Sequence, residues 1–196
     1  LSDDEQARAH RFVRPRDADR YVVGRGRLRH ILSGYADTAA ARLGFAYGPQ
    51  GKPMLPGGPV FNLSHSDGWA ALAVAPDVPP DFQLGIDIEA QRRVEDGVAA
   101  RFFSGDEYAR LSALPATDWM AGFYRCWTRK EAVIKAAGSG LSTPLDSFDV
   151  TLAPGDGCQI TRTSGDLAPA VEWSLAHLDL APGFVGAVAA VTGGGG

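Results

Sequence analysis

Cysteine and lysine are scarce in this chain, and long apolar runs are missing from it. Its two cysteines, Cys126 and Cys158, form neither a CxxC pair nor a disulfide framework. That excludes a small scaffold held by disulfides and fits a reducing cytoplasm, with both thiols acting as small core hydrophobes. No apolar run reaches the roughly 18 residues that a membrane helix needs, and no signal peptide is read. A cytoplasmic protein with no membrane partner is therefore expected. Lysine occurs only at positions 52, 130 and 135, against sixteen arginines. In a chain that uses arginine by default, a retained lysine suggests a need for a compact point charge, with chance as the alternative for so few. The net charge of −4 argues against a whole-molecule polyanion binder, and no nucleic-acid partner is expected.

What is present fills a globular protein. The 196 residues are 45% apolar, enough for a core and too many for disorder. The stretch that organises the rest is Trp127-Thr128-Arg129-Lys130-Glu131-Ala132-Val133-Ile134-Lys135. It lies in a helical pattern from about Asp118 to Ala137. On that helix Trp119, Met120, Phe123, Tyr124, Trp127 and Ile134 share one broad face, and Arg125, Arg129 and Ala132 lie on the other. Glu131 falls inside the apolar arc, where a carboxylate is costly unless it is paired or holds a metal. Taken alone, Glu131 and Lys135 are equally an ordinary i,i+4 pair.

Residues 1–43 read as two helices. Ser2 and Glu5 make a capping-box pattern, Phe12 and Val13 close the first helix, Pro15 breaks it, and Asp17 caps the second. Nine of the sixteen arginines fall in this stretch, either as a solvated face or as a phosphate-binding one. Residues 47–59 are rich in glycine and proline and read as loop, placing Lys52 on an exposed turn. Residues 60–75 read as a hairpin about Ser66-Asp67-Gly68, with Ser64 and His65 at the end of its first strand.

In Leu84-Gly85-Ile86-Asp87-Ile88-Glu89 the alternation is strict, with Ile86 and Ile88 on one side and Asp87 and Glu89 on the other. Two carboxylates about 7 Å apart on one strand face repel unless a cation sits between them. The pair is either the solvated face of an edge strand or half of a divalent-cation site. Further on, Ser104 caps a helix with Glu107. Strands are read at residues 148–152, 158–162, 171–178 and 184–191, and Gly193–Gly196 reads as a flexible tail. Residues 68–74 are weakly echoed by 183–189, which suggests two similar halves with a site at their junction.

Together, three carboxylates, a lysine one turn on, a Ser-His pair and clustered arginines point to metal-assisted chemistry at a phosphate or pyrophosphate. The parts also resemble a known family. Gly51-Lys52-Pro53, Phe61-Asn62-Leu63-Ser64-His65-Ser66, Gly85-Ile86-Asp87-Ile88-Glu89, Arg101-Phe102-Phe103-Ser104, Trp127-Thr128-Arg129-Lys130-Glu131 with Lys135, and residues 141–148 occur in the order seen in 4′-phosphopantetheinyl transferases of the surfactin-synthetase-activating type.

The resemblance implies transfer of the phosphopantetheine arm of coenzyme A to a serine of an apo acyl or peptidyl carrier protein, serving fatty acid, polyketide or nonribosomal peptide synthases. Asp87, Glu89 and Glu131 would hold Mg²⁺, with Mn²⁺ as a substitute. Glu131 and Lys135 would be catalytic. Arg8, Arg20, Lys52, Pro53, Ser64, His65, Asp87 and Lys135 would bind coenzyme A. The implied fold is α/β (α+β), a pseudo-dimer of two halves, each a small, mostly antiparallel sheet packed with helices, here 1–90 and 91–196, and a monomer. Family members usually open with a strand, and this chain starts on a helix. Leu111, Leu114, Trp119 and Met120 are read either as a carrier-docking patch or as core. The alternatives weighed are a non-catalytic coenzyme A binder, which needs no serine-activating base, and a metal-dependent nuclease, which needs a larger basic track.

Overall fold

Local sequence signals set most of the elements in the computed structural model, which describes residues 1–164, 167 and 172–192. The chain divides into two compact units, residues 1–60 with 74–78, and residues 61–73 with 79–196.

The first unit carries helices α1 (Asp3–Ala9) and α2 (Pro15–Ser33). Glu5 accepts the N–H of Ser2 at 3.0 Å, as the capping pattern requires. Helix α1 ends at Ala9, short of Phe12 and Val13, and Val13 is 96% exposed. Pro15 does not break a helix here. It opens α2 at the first helical position, after Arg14, where a missing N–H costs nothing and the ring's fixed φ suits the helix. Asp17 therefore sits inside the first turn and does not cap it.

Two of the early arginines are neither solvated nor turned to a ligand. Arg25 and Arg29 are buried and close on the Glu5 carboxylate from their Nε atoms at 3.0 and 2.7 Å. Arg29 also donates to the carbonyls of Ala40 and Leu43, and both guanidinium groups stack over Phe45. Within residues 47–59, read as loop, a two-residue ladder joins strands β1 (Ala46–Tyr47) and β2 (Pro53–Met54). Lys52 sits on that small hairpin, half-buried instead of exposed.

Strands β3 (Val60–Ser66) and β4 (Trp69–Ala75) form the expected hairpin. Its Asp67-Gly68 turn has φ of 46° and 88°, the double positive φ that a two-residue turn between twisted strands demands. The second unit's main sheet has the order β5-β9-β8, from β5 (Phe82–Ala90), β9 (Phe184–Thr192) and β8 (Glu172–Leu178), all antiparallel. Helices α3 (Val98–Phe102), α4 (Gly105–Ser112) and α5 (Ala116–Ala137) complete it, with the short pair β6 (Asp149–Val150) and β7 (Ile160–Arg162). The strands expected at residues 148–152 and 158–162 thus shrink to two and three residues. Val171 and Gly193–Gly196 lie outside the described residues.

Helix α5 lies on one face of the sheet. Small residues permit the close approach: Ala187 and Ala189 of β9 are fully buried, and Gly85 of β5 faces the helix backbone. Gly138, at φ 70°, ends α5 in the left-handed conformation. The two-faced helix read from the sequence needs correction. Thr128, Arg129, Lys130, Ala132, Val133 and Ile134 are all buried, so the far half of α5 is enclosed almost all round. Arg129 donates from Nη1 to the carbonyl and hydroxyl of Thr151 at 2.5 and 2.8 Å. Of the apolar residues about Pro115, Leu111 is core at 0% exposure, whereas Met120 is 41% exposed. Cys126 is buried and Cys158 half-buried, and both thiols are free.

Candidate functional site

The carboxylate pattern of β5 is realised on the helix side of the sheet. A strand turns alternate residues to opposite faces, so Gly85, Asp87 and Glu89 meet α5 while Ile86 and Ile88 face away. A cavity of about 450 Å³ lies on that other face, lined by Trp69, Leu72, Ile86, Ile88, Leu178 and Phe184. It is apolar and separated from the carboxylates by the sheet, so it is not the site of the chemistry.

Asp87 is 4% exposed. Its Oδ1 accepts the Lys135 ammonium at 2.6 Å and the Ser64 hydroxyl at 2.9 Å. Lys135 also donates to Ser64 at 3.2 Å. Burial pushes the Asp87 carboxyl above its ordinary value, against the pull of Lys135 and Ser64, and the Glu89 charge adds to the push. Glu131 lies one turn before Lys135 on α5. Burial raises it most, then the charge of Asp87, with Lys135 opposing and Glu89 adding. The three carboxylates therefore feel one another; Lys135 opposes them at both Asp87 and Glu131, and the Ser64 hydroxyl helps it at Asp87. Glu89 anchors Oε2 on the Ser66 hydroxyl at 2.7 Å.

Among the described residues, no group of three or more His, Cys, Asp or Glu side chains stands close enough to enclose an ion as placed. The donor set still fits a hard divalent cation. Asp87 Oδ2 is a buried oxygen with no hydrogen-bond partner, and an orphaned carboxylate oxygen is expensive unless something positive meets it. Three carboxylates against one ammonium leave a local charge of about −2, the complement of one such ion.

The other sequence-predicted residues divide. Ser64 joins the cluster. His65, next along β3, is exposed and points to the opposite side of the strand. Lys52 and Pro53 sit on the β1–β2 hairpin of the first unit, where burial lowers the Lys52 ammonium to about 8. Arg20 is exposed on α2, and Arg8 is exposed with its guanidinium 5.4 Å from the Tyr21 ring centre.

Sequence reading missed a second class of residues. Lys130, inside the central motif, is turned away from the carboxylates and fully buried against Glu107 at 2.8 Å. It also donates to the carbonyls of Leu145 and Phe148, while Glu107 accepts the N–H groups of Ser104 and Val150 at 3.0 and 2.8 Å. This ties α5 to α4 and β6. Asn62, Ser64 and Ser66 form a row along the outer edge of β5, accepting the N–H of every second residue, Ile86, Ile88 and Ala90. The Asn-x-Ser-x-Ser alternation was the available signal.

The comparisons with known proteins bear on the whole chain. Residues 83–190 match the family described as the 4′-phosphopantetheinyl transferase superfamily, and residues 1–77 match the one described as 4′-phosphopantetheinyl transferase, N-terminal. The 4′-phosphopantetheinyl transferase HetI of Nostoc sp. is 40% identical over 196 residues, covering 96% of this chain and 78% of its own length. The 4′-phosphopantetheinyl transferase Sfp of Bacillus subtilis is 36% identical over 154 residues, covering 78% of this chain. The 4′-phosphopantetheinyl transferase psf-1 of Bacillus pumilus is 37% identical over 173 residues, covering 87% and 72%. The chain spans 66% of the length of Sfp.

Proposed function

The chain belongs to the 4′-phosphopantetheinyl transferase superfamily, and we propose that it transfers the 4′-phosphopantetheine arm of coenzyme A to a serine of an apo acyl or peptidyl carrier protein. The product released is adenosine 3′,5′-bisphosphate, and the carriers are those of fatty acid, polyketide or nonribosomal peptide synthases. One observation carries the reading: Asp87 is buried with Oδ1 on Lys135 and Oδ2 unpartnered, on the strand face that meets Glu131. That is a place built for positive charge and for a phosphate drawn to it.

In this reading Asp87, Glu89 and Glu131 hold Mg²⁺, or Mn²⁺ in its place. When bound, such an ion supplies charge stabilisation to the pyrophosphate and no redox chemistry. Glu131 accepts the proton of the carrier serine hydroxyl, directly or through water. Its raised proton affinity, caused by burial and by Asp87, suits a proton acceptor. The serine oxygen attacks the phosphorus that bears the arm, and the bond to the departing adenosine bisphosphate breaks with its electron pair on the phosphate oxygen. Lys135 neutralises charge developing there. Ser64, His65, Lys52, Pro53, Arg20 and Arg8 grip the nucleotide and its phosphates. Met120 and the half-buried Leu114 and Trp119 offer apolar surface to the carrier. The protein acts as a cytoplasmic monomer of two halves, 1–90 and 91–196; the family matches at 1–77 and 83–190 favour two parts, with their break between 77 and 83. No described helix is long and apolar enough to cross a membrane.

The test is mass measurement of apo carriers after incubation with the protein, coenzyme A and Mg²⁺, with Glu131→Gln beside the parent. The parent should add the arm, and excess chelator should stop it. Glu131→Gln keeps a ligand oxygen and loses basicity, so kcat should fall by roughly 100-fold or more while coenzyme A binding persists. Transfer by the variant at the parent rate would remove Glu131 as the base, and transfer in excess chelator would remove the metal.

A further inference from the structure

We propose that Ser66 is a positioning residue for Glu89, setting that carboxylate for its metal through the same hydroxyl that closes the edge of the sheet. The inference rests on the reading of Glu89 as a metal ligand. Among the described residues β5 is the outer strand of its sheet, paired on one side by β9. Its N–H groups at Ile86, Ile88 and Ala90 point outward, and none is left unpaired. Asn62 Oδ1 accepts from Ile86 at 2.8 Å, Ser64 Oγ from Ile88 at 3.3 Å, and Ser66 Oγ from Ala90 at 3.1 Å. The separation in sequence is 24 residues each time. β3 therefore runs along β5 in constant register and offers side-chain oxygens where a neighbouring strand would offer carbonyls.

The chemistry of the three rungs differs. An amide oxygen only accepts, whereas a hydroxyl that accepts an N–H still has its own proton to donate. Ser64 spends that proton on Asp87 Oδ1 at 2.9 Å, and Ser66 spends its own on Glu89 Oε2 at 2.7 Å. Asn62 closes the edge through its amide oxygen, which has no proton to pass on to a carboxylate. The ladder thus separates two tasks: all three residues satisfy the strand edge, and only the serines orient carboxylates. Glu89 needs this more than Asp87 does. It has one more torsion to fix and lies half-exposed, while Asp87 is already held by Lys135. With Oε2 held by Ser66, Oε1 is the oxygen presented to an ion. Ser66 is 7% exposed, so water competes little for the bond.

The experiment measures Mn²⁺ binding to the coenzyme A-loaded protein from the electron paramagnetic resonance signal of free Mn²⁺, with thermal unfolding alongside. The variants are Ser66→Ala, Ser66→Thr and Asn62→Ala. Loss of an outer partner of a metal ligand typically weakens the metal by about 10–100-fold. Ser66→Ala should fall in that range, while Ser66→Thr, which keeps the hydroxyl, should return to near the parent. Asn62→Ala should unfold at a lower temperature yet bind Mn²⁺ like the parent. Should Ser66→Ala fail to fold, Ser66→Cys carries the same expectation, since a thiol keeps the volume and donates weakly. Parent-like Mn²⁺ affinity in Ser66→Ala would overturn the inference, as would equal weakening in Asn62→Ala, which would make the effect a general consequence of edge damage. If the parent itself binds no Mn²⁺ with coenzyme A present, the metal reading fails and takes this inference with it.

Discussion

Gly85→Ala should damage this protein twice, through one methyl group. A Cβ at position 85 would stand 2.1 Å from the carbonyl oxygen of Ala132, 2.4 Å from the Ala136 nitrogen and 3.0 Å from the Lys135 carbonyl carbon. All three are backbone of α5, so no side chain can rotate out of the way. Ordinary carbon contacts lie near 3.5 Å, so strand and helix must part by more than about 1 Å. Overpacking typically costs about 1–3 kcal/mol, and a rigid backbone neighbour puts this site at the upper end. For a chain of this length about 3 kcal/mol corresponds to a fall in Tm of about 6–12 °C.

The second damage is to rate. Asp87 rides on the strand, and Glu131 and Lys135 ride on the helix. Displacing one from the other stretches the 2.6 Å contact between Lys135 and Asp87. A misplacement of about 1 Å is worth about 100-fold in rate. The assay pairs thermal unfolding with single-turnover transfer to an apo carrier, run well below the variant's Tm. Gly26→Ala is the control, since a Cβ there meets nothing within 4 Å. It should stabilise the exposed helix by about 0.5–1 kcal/mol. A Gly85→Ala protein with parental Tm and parental transfer would refute the reasoning.

Lys130→Met should cost about 3–5 kcal/mol in denaturant unfolding, because it leaves Glu107 buried without its cation. Adding Glu107→Gln should recover part of that loss, and a Lys130→Met protein as stable as the parent would contradict the buried pair. Burial holds Lys52 at about 8 against an ordinary 10.5. The folded state thus penalises the ionised form below about pH 8, and stability should climb as pH rises from about 8 to 10.5. Amine-reactive labelling of Lys52 should be half-maximal near pH 8, and the climb in stability should vanish in Lys52→Met. The raised carboxyls of Asp87 and Glu131 act in the opposite sense. Their contribution is whole below 3.8 and 4.5 and is lost as pH rises through their folded values. Added Mg²⁺ should therefore raise Tm more at about pH 7.5 than at about pH 5, and an equal rise at both would count against a carboxylate site.

Local patterns with a single physical solution were legible in the sequence. The alternation in Leu84–Glu89 fixed which residues share a face, Asp67-Gly68 fixed the hairpin, and Ser104 with Glu107 fixed a cap. What failed depended on tertiary surroundings. Pro15 looks the same whether it ends one helix or starts the next, and only the placement of Arg14 decides. Arg25 and Arg29 look like surface charge until Glu5 is known to lie between them. Lys130 and Glu131 are neighbours in one motif, yet a rotation of about 100° sends the first into the core and the second toward Asp87. In the sequence Glu107 shows its cap alone, because its Oε1 partner, the Val150 N–H, is 43 residues away.

The strand order has a consequence for how the molecule comes into being. β9 lies between β5 and β8 and, among the described residues, gives β5 its only backbone ladder, Phe82 to Ala90 against Thr192 to Phe184. The segment bearing Asp87 and Glu89 must therefore wait about a hundred residues of synthesis for its partner, and such distant pairing is slow and exposes unpaired edges meanwhile. A nascent chain that has not yet reached Phe184 holds the hairpin, the carboxylates and the long helix, but nothing to seat β5 beneath that helix. Competence for chemistry should arrive late and all at once, and shortened chains ending before β9 should be captured by chaperones instead of persisting as partly active enzyme.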